Sequence, residues 1–242
     1  MTDPRRRRGP RPGPILRPLF IDRPDAPAPE TDAVRRRRRV VVALTLVVGA
    51  VLLGLSLAAR PGDPRFYYLT FALAAVWVVG SLASGPLHLG RLLFRGRRRR
   101  PIASPIAVGL AIAAVFVLGA LIVREIDPLR DIVVRVLDHA SEGSLPLVVA
   151  ITIVNGVAEE MFFRGALFAA VGRRRAVLVS SVAYVLATVA TGNVMLVFAA
   201  VLLSPVLGLQ RRSTGGVLAP VLTHITWSTV MVLSLPALFG SA

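Results

Sequence analysis

The reading of this chain turns on NGVAEEMFFRGALF, Asn155–Phe168. The stretch lies inside a longer run, LPLVVAITIVNGVAEEMFFRGALFAAVG, which starts at Leu145 and otherwise has the composition of a membrane span. Two glutamates and an arginine in such a run need a reason, because a charge at the centre of a span costs about 2.5–3.5 kcal/mol on insertion scales. On a helix, Glu160 and Arg164 stand four apart and can pair. Glu159 points about 100° away from Glu160 at 3.6 residues per turn. Asn155 lies one turn below Glu159 on the same face, and Phe163 one turn above. One cation does not compensate two acids, so Glu159 is the exposed half of the motif and is placed to act as a general base on water. Glu160 and Arg164 also admit a purely structural reading, as a clamp.

The rest of the chain supplies the setting. Of its 242 residues, 55% are hydrophobic, and the mean hydropathy is +0.69. The apolar residues come in runs, and about 20 of them cross a bilayer as a helix. The strand alternation of an outer-membrane barrel is absent. These features predict an all-α, polytopic membrane protein. The net charge of +16 resembles a nucleic-acid signal. However, the basic residues are all arginine and sit between the hydrophobic runs, where topology-setting charges belong. No nucleic-acid partner is expected; the bilayer is. The chain has no cysteine, which removes disulfides, thiolate nucleophiles and Cys-based metal sites. Residues 1–38, rich in Pro and Arg, read as a disordered basic cytoplasmic tail, and no cleavable signal peptide is expected.

Residues 39–242 read as one transmembrane domain of about seven helices: Val40–Ala59, Phe66–Leu89, Ile102–Val123, Leu145–Gly172, Ala176–Thr191, Val194–Leu209 and Val217–Phe239. Arginine clusters at Arg35–Arg39, Arg91–Arg100, Arg173–Arg175 and Arg211–Arg212 fall on alternate connections. With the N-terminus inside, all four are cytoplasmic and the C-terminus is extracytoplasmic. A plasma (inner) membrane location follows. The connection Arg124–Gly143 carries Ile126, Leu129, Ile132, Val133, Val136 and Leu137 at helical spacing, which predicts an interfacial amphipathic helix.

A second polar group lies in the last span, APVLTHITWSTV. His224 and Ser228 are four apart and share a face, and polar groups in lipid require partners. Together with Glu159 they are expected to face one cavity. Thr223 and Thr226 can bond back to their own helix. His88 and His139 have no comparable context.

EEMFFR, Glu159–Arg164, followed by Gly165, and STGGVLAPVLTHITWS, Ser213–Ser228, resemble the motifs of the CPBP family, the CAAX-protease and bacteriocin-processing (Abi-type) membrane proteins. The resemblance covers about residues 145–230. It implies an intramembrane endopeptidase that hydrolyses peptide bonds of a membrane-associated peptide or protein with a glutamate-activated water. It assigns Glu159 to activating water, Glu160 and Arg164 to orientation, and His224 and Ser228 to the oxyanion. The family's middle motif, FxxxH, corresponds here to Tyr184 and Thr188, so a threonine stands where histidine is expected. Thr188 can position a water but is no base near neutral pH. A metal is implied by the resemblance but not supported by the ligand count, since catalytic zinc usually takes three protein ligands; the cofactor is left unassigned. The threonine also admits a non-catalytic CPBP-like scaffold. A proton-coupled carrier, the reading from a different class, finds no inverted repeat to support it.

Overall fold

The computed structural model describes residue 20 and residues 31–60, 62–94, 97–141, 144–172 and 174–240. Among them run eight helices: α1 (Asp32–Ala58), α2 (Pro64–Ser84), α3 (Ala103–Val123), α4 (Asp127–Ser141), α5 (Leu145–Val171), α6 (Ala176–Val189), α7 (Val194–Thr214) and α8 (Leu218–Phe239). Six are long and apolar enough to span a membrane, and α6 is a shorter apolar helix. At about 1.5 Å per residue its 14 residues extend roughly 21 Å. The molecule is an all-α polytopic bundle.

The first helix starts earlier than expected. Thr31 caps it by accepting from the Val34 amide, and Asp32 in the first turn pairs with Arg35 at 2.6 Å. Arginine is a good helix former, so residues 32–38, expected within the tail, are helical and continuous with the first span. The remainder of the expected tail, apart from Phe20, lies outside the described residues.

Helices α1 and α2 form a close antiparallel pair. A Cβ at Gly80 would run into Thr45, and one at Gly49 into the Trp77 ring. Lipid is as apolar as leucine, so small residues and close contact, not water exclusion, hold helices together in a membrane. Helix α5 runs between α2 and α8, and α7 packs against α6. Trp77 of α2 stacks on Phe162 at 4.4 Å and meets Phe163 at 5.2 Å, which seats α5 on the α1–α2 pair.

Two expectations are corrected at the arginine-rich end. The second span stops at Ser84 rather than Leu89, because Gly85 adopts φ +141° and Pro86 cannot continue the helix. The chain then runs extended past the start of α8. Val217 and Leu218 donate to the His88 and Leu89 carbonyls at 2.8 and 3.1 Å, and Arg91 donates to the Thr214 carbonyl at 2.9 Å. The Gly90 and Gly216 backbones lie so close that a Cβ on either would collide with the other. The expected loop at Arg91–Arg100 contains a short hairpin, β1 (Leu92–Phe94) with β2 (Arg97–Arg99). The sixth span does not end at Leu209 but continues through Thr214, placing Arg211 and Arg212 in its last turn beside the negative end of the helix dipole.

The amphipathic helix is present as α4. Its Val133 and Leu137 are buried against Ala120 and Phe239 at the opposite end of the bundle. Asn193 ties this helix to the start of α7 by donating to the Ile132 carbonyl at 3.1 Å. The arginine-bearing segments gather at the other end. Arg37 donates to the Ala83 carbonyl, and the start of α6 packs on the end of α7 through Val177 and Gly208.

Candidate active site

The motif helix is not uniform. From Met161 to Leu167 the backbone of α5 widens into a π-helical segment. Such segments are rare and concentrate at functional sites. Phe162 and Phe163 anchor it on Trp77. Gly165 admits Leu87 and Val217 to its backbone, where a Cβ would stand 2.7 and 3.4 Å from their side chains. The Arg164 carbonyl accepts from Arg211 Nε at 2.6 Å, and the Arg211 guanidinium lies over the Phe168 ring. The arginine expected only as a topology signal therefore braces the motif.

Glu160 and Arg164 form the expected pair, Oε1 to Nη1 at 3.1 Å, and both side chains are fully buried. His224 reaches the same Oε1 with Nδ1 at 3.0 Å. Arg164 Nη2 donates to both the carbonyl and the hydroxyl of Ser204, at 3.2 and 2.8 Å. Helices α5, α7 and α8 are thereby joined through one buried carboxylate and one guanidinium. Gly156, one turn before Glu160, leaves room for α8: a Cβ there would touch Ile225 at 3.3 Å and His224 at 3.9 Å.

Glu159 lies outside this cluster. It is half-buried, and its Oε2 accepts from the Tyr184 hydroxyl at 2.9 Å. The tyrosine ring lies under the Arg164 guanidinium, 4.8 Å from centroid to Cζ. The two adjacent acids thus separate as the helix geometry demands, one toward α8 and one toward α6.

Thr188 and Ser228 do not join either group. Thr188 Oγ1 bonds back to the Tyr184 carbonyl at 2.8 Å, and Ser228 Oγ to the Ile225 carbonyl at 3.4 Å. This is the usual recourse of a hydroxyl in a helix. Thr223, expected to bond its own helix, instead donates across to the Pro105 carbonyl of α3 at 2.9 Å. Asn155 donates to the Ile151 carbonyl at 3.0 Å.

Sequence reasoning gave Tyr184 only as the counterpart of the middle motif's Phe, with no bond to Glu159, and did not name Ser204. The signal for Tyr184 was a phenol inside a span, which must find a partner. Ser204, next to Pro205, gave none: serine bonding to its own helix is the default.

Among the described residues, no group of three or more His, Asp or Glu could hold a metal ion. Glu160 and His224 contact each other through Oε1, which Arg164 also occupies. This donor set does not fit a catalytic metal.

Residues 141–230 match the family model Rce1-like, described as type II CAAX prenyl endopeptidase Rce1-like. This region is Rce1-like. The Rce1-like region holds Glu159, Glu160, Arg164, Tyr184, Thr188, Ser204, His224 and Ser228, and agrees with the CPBP resemblance of the sequence motifs. No curated protein and no solved structure matches the chain.

Proposed function

We propose that this protein is an intramembrane endopeptidase of the CAAX-protease type, acting on a membrane-associated peptide or protein with Glu159 as general base. The observation that carries this reading is the division between the two acids. Glu160 is committed to Arg164 and His224, whereas Glu159 is half-buried beside them with one oxygen held by Tyr184. In the reaction, a Glu159 oxygen takes a proton from water as the water oxygen attacks the peptide carbonyl carbon. The carbonyl electrons move to oxygen, giving an oxyanion. When the tetrahedral intermediate collapses, the C–N bond breaks and Glu159 returns the proton to the departing nitrogen, leaving a carboxyl group and an amine. His224 uses Nδ1 on Glu160, and as an imidazolium it offers Nε2–H to the oxyanion. Ser228, one turn further on, holds only a long bond to Ile225 and supplies a second donor when it gives that bond up.

The test is cleavage of membrane-peptide libraries by the purified protein. Wild type cleaves and Glu159→Gln loses about 10²–10⁴-fold, the usual worth of general acid–base help. Cleavage that survives Glu159→Gln at the wild-type rate overturns the assignment.

A second reading, a non-catalytic membrane scaffold, is favoured by Thr188, whose hydroxyl is bonded into its own helix instead of toward Glu159. It expects no cleavage from wild type or from Thr188→His, and a partner-binding phenotype that survives Glu159→Gln. The protease reading expects Thr188→His to raise the rate, by adding a proton-handling group near Glu159.

The arginine-rich end is assigned to the cytoplasm on the positive-inside rule, and the C-terminus to the other side. The chain has no native cysteine, so Arg98→Cys and Thr191→Cys report directly on topology. Labelling of both from one side of the membrane contradicts the assignment.

A further inference from the structure

Tyr184 touches both halves of the site. Its hydroxyl donates to Glu159, its face carries the Arg164 guanidinium, the Phe163 ring stands nearly perpendicular to it with centroids 4.9 Å apart at 82°, and the His224 ring centroid lies 6.4 Å away at 87°. Its backbone carbonyl holds the Thr188 hydroxyl. We infer that Tyr184 is the positioning residue for Glu159: it fixes one carboxylate oxygen so that the other is presented to water, and it ties that orientation to the buried Glu160–Arg164–His224 cluster.

The argument is one of freedom and restraint. A glutamate side chain has several rotatable bonds, and among the described residues Glu159 forms no salt bridge that would fix it. The cation next to it faces Glu160 and Ser204. Tyr184, by contrast, has a cation on its face and a T-shaped contact with the Phe163 ring, arrangements in which ring quadrupole and charge attract. Its hydroxyl is therefore delivered from a fixed point on α6. Thr188, one turn further along that helix, does not supply this hydrogen bond because its hydroxyl is spent on the Tyr184 carbonyl.

This inference rests on the protease reading, and the experiment separates the two. Tyr184→Phe keeps the ring and its packing and removes only the hydroxyl. A reacting group displaced by about 1 Å can lose about 10²-fold, so kcat falls by about that factor while KM stays unchanged. A wild-type kcat in Tyr184→Phe overturns the inference and leaves the protease reading standing. 3-Fluorotyrosine at position 184 makes the hydroxyl more acidic without changing the fold. It shifts the pH profile of kcat, and an unmoved profile counts against the inference. If wild type cleaves nothing, modification of Glu159 by a membrane-permeant carbodiimide gives a readout independent of activity, with Glu159→Gln as the blank. A labelling rate changed by Tyr184→Phe supports the positioning contact while the protease reading falls. An unchanged rate removes both.

Discussion

Helices α3 and α5 are both long enough to span a membrane, and they live in opposite surroundings. Helix α3 carries no charged residue, and Leu110, Val115, Leu118 and Ile122 are all exposed along it. Helix α5 carries two glutamates and an arginine, yet Phe162, Phe163, Glu160 and Arg164 are sealed from the surface. In water the more apolar helix would be the buried one. In lipid the order reverses: polar groups need protein partners, and plain hydrocarbon suffices against the acyl chains. The span with a buried ion pair lies inside the bundle, and the most apolar span, α3, is the least buried.

Four substitutions test that contrast. Arg164→Ala leaves the Glu160 carboxylate and the Ser204 groups buried without their cation. Removing one partner of a buried pair costs about 3–5 kcal/mol, so a large loss of stability is expected in reversible unfolding in mixed micelles. If Arg164→Ala is as stable as wild type, the polar cluster is not what holds the centre together. Gly216→Ala forces a methyl group into the Gly90 backbone. Overpacking of this kind costs about 1–3 kcal/mol, and hydrogen exchange at Arg91 and Leu218 should rise first. Glu159→Gln keeps an acceptor for Tyr184 and exchanges one ordinary hydrogen bond for another, so stability should stay within about 1.5 kcal/mol of wild type; the same unfolding measurement separates it from Arg164→Ala. Leu118→Ala, on the exposed face of α3, should change stability by no more than about 0.5 kcal/mol, as is usual for surface positions. A larger loss at Leu118 means that α3 packs against a partner there.

The helical class, the order of the spans and the amphipathic α4 were legible because hydropathy and helical spacing are local properties. The Glu160–Arg164 pair was legible for the same reason, being four residues apart on one helix. His224 was found as a polar residue in a span, expected to face the same cavity as Glu159, but the acid it bonds was not named. It joins Glu160 at 3.0 Å, across 64 residues of chain, and spacing within one helix cannot report a contact between two. The bonds of Tyr184 to Glu159 and of Arg164 to Ser204 were hidden for that reason too. The end of the second span was misplaced because LHL after Gly85–Pro86 is as apolar as a helix, while its backbone is engaged by Val217 and Leu218. The π-helical segment has no signature in composition.

The Glu160–Arg164 pair also bears on how the chain is made. Helix α8, which brings His224, is synthesised after α5. Until it arrives, Glu160 has no imidazole beside it. Because the arginine is on the same helix, Glu160 travels with its own counter-charge, and this pair can enter the bilayer as a neutral unit before the rest of the site exists, with Glu159 as the acid left over. The histidine then completes an arrangement already tolerated by lipid. The clasp of His88–Arg91 on Thr214–Leu218 also waits for the start of α8, so assembly of the site and the tying of the segment after α2 to α8 depend on the same step in biogenesis.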